Sequence, residues 1–131
     1  MLTDPIADFL TRIRNALQAQ HEHVVIPSSR LKREMSRILK EQGYIADWSE
    51  GDGDVGKVLN LTLRYTEDRS PVISGMQRVS RPGRRRYVPN KDVPRVLGGM
   101  GTTIVSTSTG VMTGHEARQK GVGGEVVAHV W

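Results

Sequence analysis

Near the amino terminus, Ile6, Phe9, Leu10, Ile13 and Leu17 recur at the spacing of one helix face, and Thr3-Asp4-Pro5 supplies a cap and a first-turn proline. An amphipathic helix ending near residue 20 is predicted. His23-Val24-Val25-Ile26 follows as a short strand stopped by Pro27. Ser28 or Ser29 then caps a second helix with Leu31, Met35, Ile38 and Leu39 on its apolar face, closed by Gly43. Beyond it the period drops to two: Leu59, Leu61, Leu63 and Tyr65 alternate with Asn60, Thr62 and Arg64. That strand is expected to pair with Tyr44 to Trp48 across an acidic, glycine-rich loop at 49–56, facing solvent or a basic neighbour. The order reads α-β-α-β-β.

The remainder is mostly strand. A run from Val72 to Ser80 breaks at Pro82-Gly83 and resumes from Arg84 to Val88, making a hairpin ended by Pro89 and Asn90. A turn or short helix around Asp92 to Leu97 leads to a β-branched, hydroxyl-rich strand, Thr102 to Thr109, running into Gly110. Thr113 and Glu116 are spaced as a capping box for a short helix to Lys120, and Gly121 to Gly124 turns the chain into a last strand, Glu125 to Trp131. The carboxyl terminus is expected to be tied into a sheet. The fold class is α+β. An amino-terminal α-β-α-β-β subdomain over 1–70 packs on a mainly β, basic carboxy-terminal subdomain with a short helix over 71–131.

Charge sharpens this division. The 131 residues carry a formal net charge of +5. Residues 1–75 hold 10 basic and 11 acidic side chains, net −1, whereas residues 76–131 hold 9 and 3, net +6. The second segment owns the field, and an anionic partner is its natural complement. The absence of cysteine removes disulfides, thiolate metal sites and cysteine nucleophiles, and suits a reducing compartment. No apolar run approaches the roughly 18 residues of a membrane span, and Asp4 and Asp8 interrupt what would be a secretory signal. A soluble, cytoplasmic protein with no membrane partner is expected.

Three constellations bear on the anion. Arg78, Arg81, Arg84, Arg85, Arg86, Lys91 and Arg95 meet only Asp92 between residues 78 and 95, and arginine forks fit phosphate oxygens. Strand alternation would send Arg84 and Arg86 to one face and Arg85 to the other. On the second helix, Arg30 and Lys32 sit at the amino-terminal end, where the dipole favours a bound phosphate over a cation. Arg12, Arg14 and Asn15 point away from the first helix's apolar stripe, with surface solvation as their default. Ser106-Thr107-Ser108-Thr109-Gly110 gathers hydroxyls that can match phosphate oxygens, base edges and an RNA 2′-hydroxyl. Gly121-Val122-Gly123-Gly124-Glu125 downstream would let RNA approach main chain, with Glu125 accepting from a base amino group.

Enzyme readings fare poorly. His115 and Glu116 are adjacent on a short helix with no partnered nucleophile, and His21 and His23 lack a third ligand. Gly98-Gly99-Met100-Gly101 lacks the ending of a phosphate loop and precedes a strand. No catalytic site, metal or cofactor is expected. Six aromatic residues without strand pairing disfavour a base-stacking platform, which leaves recognition of folded RNA by shape, backbone and hydroxyls.

Several segments carry a resemblance: Thr3-Asp4-Pro5-Ile6-Ala7-Asp8, Thr11-Arg12-Ile13-Arg14-Asn15-Ala16, Pro27-Ser28-Ser29, Arg78-Val79-Ser80-Arg81-Pro82-Gly83, Ser106-Thr107-Ser108, Gly110-Val111-Met112-Thr113 and Gly121-Val122-Gly123-Gly124-Glu125. In this order the chain resembles the bacterial small-subunit ribosomal protein S-eight family from end to end. The resemblance implies a primary binder of the central domain of small-subunit ribosomal RNA, beside neighbouring small-subunit proteins, that also represses its own operon messenger RNA. It implies specific contacts by Ser106, Thr107, Ser108, Gly124 and Glu125, and further ones by Thr3, Asp4, Arg12, Arg14, Asn15, Arg30, Lys32 and the linker Ser80-Arg81-Pro82-Gly83. With these the candidate RNA-binding set includes Arg78, Arg84, Arg86, Thr109, Gly110 and Gly123. Thr109 stands where many members carry lysine, so that a phosphate contact is either missing or supplied by Arg85, Arg86 or Lys120. The alternative is a free regulatory protein that binds RNA or DNA outside the ribosome.

Overall fold

The computed structural model describes residues 3–131; the first two positions of the expected amino-terminal subdomain lie outside them. The chain divides into two compact units: an α/β unit, Ile6–Ser74, and a β-rich unit, Gly75–Trp131, which the described residues ahead of Ile6 join.

In the α/β unit, helix α1 (Pro5–Gln18) buries the stripe its spacing predicts, Ile6, Phe9, Leu10, Ile13, Ala16 and Leu17. Strand β1 (His23–Pro27) leads to α2 (Arg30–Glu41), whose N-cap is Ser29, its hydroxyl accepting the Lys32 N–H at 3.2 Å. Strands β2 (Ile45–Asp52) and β3 (Lys57–Leu63) complete an antiparallel sheet in the order β1-β3-β2. Its core face presents Ile26, Ile45, Leu59, Leu61 and Leu63, buried with Met35, Ile38 and Leu39 of α2. The acidic segment corrects the sequence reading. Ser49 to Asp52 continue β2 in register with Asn60 to Lys57, leaving only 53–56 as the turn. Pairing along β3 outweighs the poor strand preference of these residues.

In the β-rich unit, β4 (Met76–Arg78) and β5 (Tyr87–Val88) both run antiparallel to β8 (Gly124–Val130), which pairs on its other edge with β6 (Thr102–Thr107); β7 (Gly110–Thr113) closes the sheet beyond β6. Arg78 faces Ala128, and Tyr87 faces Glu125. The expected hairpin between 72–80 and 84–88 is therefore replaced by two short strands in tandem along one edge of β8. Between them the chain makes an excursion, where Arg81 and Arg84 exchange both main-chain hydrogen bonds around Pro82-Gly83. Arg84 to Arg86 lie outside any strand, so the predicted alternation of their faces does not apply.

Helix α3 (Gly114–Lys120) starts on the predicted capping box, Thr113 accepting from the Glu116 N–H and Glu116 from the Thr113 N–H, and ends on Gly121 at φ 69°. Ile104, Val105, Met112, Ala117, Val126, Val127 and Val130 form the core of this unit. The carboxyl terminus is held as expected: Gly75 and Trp131 exchange main-chain hydrogen bonds, and a Cβ on Gly75 would lie 2.5 Å from the Trp131 ring.

Candidate nucleic-acid interface

Two features of the β-rich unit meet at one end of its sheet. The first is the β6–β7 hairpin. Thr107 pairs with Gly110 around Ser108 and Thr109. The Thr107 hydroxyl is used inside this turn, donating to the Gly110 carbonyl at 2.7 Å and accepting the Thr109 N–H at 3.2 Å. Its own turn chemistry thus fixes the knuckle, a local competition between side chain and main chain that Ser and Thr favour. Ser108, Thr109 and Gly110 are exposed and Ser106 and Thr107 partly so. Among the described residues, the Ser106 and Ser108 hydroxyls have no hydrogen-bond partner within the chain, so both retain donor and acceptor capacity.

The second is the arginine excursion. β5 and β6 flank β8, so Tyr87, Glu125, Ser106 and Val111 form a row across four strands. Directly opposed residues share a sheet face, and two strand spacings put Tyr87 about 10 Å from Ser106. Beside this row Arg81, Arg84, Arg85 and Arg86 are exposed. Glu125 sits between excursion and knuckle, accepting from Ser80 and from Arg85 at 3.0 Å. That carboxylate raises the Arg85 pKa further, chiefly through the hydrogen bond.

The glycines of 121–125 have a different use from the expected one. A Cβ on Gly124 would stand 2.2 Å from the Ser106 carbonyl oxygen, and one on Gly123 would stand 2.3 Å from that of Val88. The space that these two glycines leave open is filled by the protein's own flanking strands. Glu125 has one carboxylate oxygen, Oε2, already engaged by Ser80 and Arg85. The absence of side chains at 123 and 124 lets β5, β8 and β6 close on one another and set the spacing between excursion and knuckle.

Other candidates fall elsewhere. Arg78 is largely buried, its Nε on Asp4 at 3.2 Å and its Nη1 on the Val127 carbonyl at 2.8 Å. Thr3 is exposed, and Pro82 and Gly83 form the tip of the excursion. Arg12, Arg14, Asn15 and Arg30 are exposed in the α/β unit, Arg12 paired with Asp8 at 2.9 Å. Lys32 is not at the surface: 5% exposed, it donates to the Pro27 carbonyl at 3.2 Å, and burial holds its pKa below the ordinary lysine value. The sequence reading missed the placement of Arg85 and Tyr87 beside Glu125. The signal would have been pairing with a strand about forty residues on, which local periodicity does not carry.

Among the described residues no group of three or more potential ligands could hold a metal, and no helix is long and apolar enough to cross a membrane. Glu116 is engaged by Thr113, which leaves His115 without the acid–base partner its neighbour would have been.

The chain is 54% identical over 130 residues to the small ribosomal subunit protein uS8 of Corynebacterium jeikeium, an alignment covering 99% of this chain and 98% of that one. It is 52% identical over 131 residues to the protein of the same name from Solibacter usitatus, with both chains fully covered. The corresponding protein of Lactobacillus acidophilus is 53% identical over 131 residues, covering 100% of this chain and 99% of its own. The sequence model described as Ribosomal protein S8 matches residues 4–131, and the chain belongs to that family of structural, non-enzymatic proteins.

Proposed function

We propose that this protein is a structural constituent of the small ribosomal subunit that docks on folded ribosomal RNA of the central domain through the end of the sheet holding Ser106, Ser108 and the arginine excursion. One observation carries the reading: the uncommitted hydroxyls of Ser106 and Ser108 stand on a knuckle whose Thr107 hydroxyl is locked into the turn, beside Arg81, Arg84 and Arg86, which have no ion pair among the described residues. Neutral hydroxyls can read the contour and 2′-hydroxyls of an RNA minor groove, while the arginines supply phosphate attraction that is blind to sequence. The names of the relatives support assembly into the small subunit. Arg78 and Ser80 serve this surface from inside the β-rich unit, holding its backbone through the Val127 carbonyl and the Arg86 N–H. A messenger RNA that imitates the ribosomal site would engage the same end of the sheet and give repression of the protein's own operon.

The test is binding of the purified protein to a central-domain RNA fragment and to an unrelated duplex. Ser108→Ala is expected to weaken the fragment by roughly 1–2 kcal/mol more than the duplex, the scale of a hydrogen bond lost with its partner left unpaired. Equal losses on both would refute the knuckle as the discriminating element. Retention on small subunits through a high-salt wash separates this reading from a free regulator.

A further inference from the structure

Ser80 is 0% exposed, and its hydroxyl works in both directions, donating to Glu125 and accepting the main-chain N–H of Arg86 at 3.1 Å. The same oxygen of Glu125 takes Nη1 of Arg85 at 3.0 Å. Exposure rises along this chain of contacts. The Glu125 side chain is 14% exposed and that of Arg85 48%. A carboxylate largely withdrawn from water, with one oxygen already engaged twice, is poorly placed to take a base amino group. A guanidinium with one N–H engaged and half its surface open keeps donors for a phosphate, in a plane its partner has fixed.

We propose that Glu125 is a positioning residue and not an RNA ligand: held by buried Ser80, it orients Arg85 toward the RNA that the knuckle engages. This rests on the RNA-docking reading above. Two further bonds make the arrangement stiff. The Val126 N–H donates to the Arg86 carbonyl and the Ser80 N–H to the Val126 carbonyl, so both ends of the excursion are fastened to β8 beside Glu125. An oriented arginine loses less freedom on binding than one swinging in water, and the gain is specific to an RNA whose phosphate lies where the fork points.

The experiment measures binding of the full chain to the central-domain RNA fragment, over a range of salt, for Glu125→Gln, Arg85→Ala and the double variant. Arg85→Ala is expected to weaken binding about tenfold and to lower the salt slope by about one. Glu125→Gln is expected to weaken it about three- to fivefold with the slope retained, because the cation stays and only its aim is lost. In the double variant the Glu125 effect disappears, leaving the loss of Arg85→Ala alone. A Glu125 loss that persists undiminished without Arg85 makes Glu125 a direct ligand and overturns the inference, as does unchanged binding in either single variant. Ser80→Ala should copy Glu125→Gln, losing its effect in the Arg85→Ala background. If that core substitution fails to fold, the cycle of Glu125 with Arg85 still decides. Ser108→Ala keeps the two readings apart. No effect of it removes the docking surface and this inference together; a clear effect with multiplicative Glu125 and Arg85 losses removes the inference alone.

Discussion

The two units carry almost the same number of cations and differ in how many of them meet an acid. In the α/β unit Arg12 meets Asp8, Arg33 meets Glu50, Arg37 meets Glu34 and Glu41, Lys40 meets Asp47 and Lys57 meets Asp52. In the β-rich unit Arg78 meets Asp4 and Arg85 meets Glu125. Among the described residues, Arg81, Arg84, Arg86, Lys91, Arg95 and Lys120 have no ion pair. Surface pairs contribute about 0–1 kcal/mol each to stability, but they cancel the field that a polyanion would feel. The supply of acids, not of cations, therefore decides which unit attracts RNA. Three of these, Arg81, Arg84 and Arg86, sit on an excursion fastened at both ends, so their charge is presented from a defined place.

The largest effect should come from loosening that place while leaving the charges untouched. Gly124→Ala would drive a methyl to within 2.2 Å of the Ser106 carbonyl, with no flexible side chain to yield, and should cost about 2–3 kcal/mol of stability. Gly56→Ala in the α/β unit adds a methyl where nothing lies within 4 Å, and its φ of +82° limits the loss to about 1–2 kcal/mol. Urea unfolding of both variants checks the order. In RNA binding, Gly124→Ala should lose preference for the central-domain fragment while keeping salt-dependent attraction to any duplex.

The charge half of the comparison is sharpened by a matched pair of variants. Replacing both Arg84 and Arg86 with Ala should lower the salt slope of RNA binding by about 1.5–2, the yield of two phosphate contacts. Arg37→Ala, which removes a cation already bound to Glu34 at 2.9 Å and Glu41 at 3.1 Å, should leave the slope unchanged and cost less than about 1 kcal/mol of stability. A slope lowered equally by both would mean that pairing does not silence the α/β unit.

Local patterns were enough for α1 and the Thr113 cap, narrowed the second cap to Ser28 or Ser29, and placed β6 but ran it to Thr109 where the strand ends at Thr107, because a helix stripe, a capping box and a β-branched run are written in neighbouring residues and the turn is not. The knuckle was legible too, its hydroxyls being contiguous. What escaped depends on distant partners. Arg84 to Val88 reads as a strand from its own residues, yet only Tyr87 and Val88 form one, and its partner strand lies far along the chain. β7, four residues directly after a turn, gives too short a run to show a period. Ser80 is polar and fully buried because Glu125, 45 positions on, and the Arg86 N–H satisfy its hydroxyl. Lys32 looks like a surface cation on a helix but is withdrawn by the Pro27 carbonyl ahead of its own helix.

The smallest expected effect asks what one more cation does in the unit that cannot pair it. His129 lies opposite Thr103 on β6, its Nδ1 3.1 Å from the Thr103 hydroxyl, which donates to the Pro94 carbonyl at 2.9 Å. With that hydroxyl proton directed to Pro94, Nδ1 carries the hydrogen and donates to the hydroxyl oxygen, so a further proton must enter at Nε2. Burial lowers the pKa of the ring below its ordinary value of 6.5. The unfolded chain thus takes the proton first as pH falls. The stability associated with neutral His129 is complete above about pH 6.5, declines below it and is lost by the folded pKa. Because the ring is only partly buried, solvent limits the change to a few tenths of a kcal/mol. Urea midpoints at pH 7.5 and 5.5 should converge in His129→Gln relative to the unsubstituted protein. An equally steep decline in the variant would assign the pH dependence to other groups.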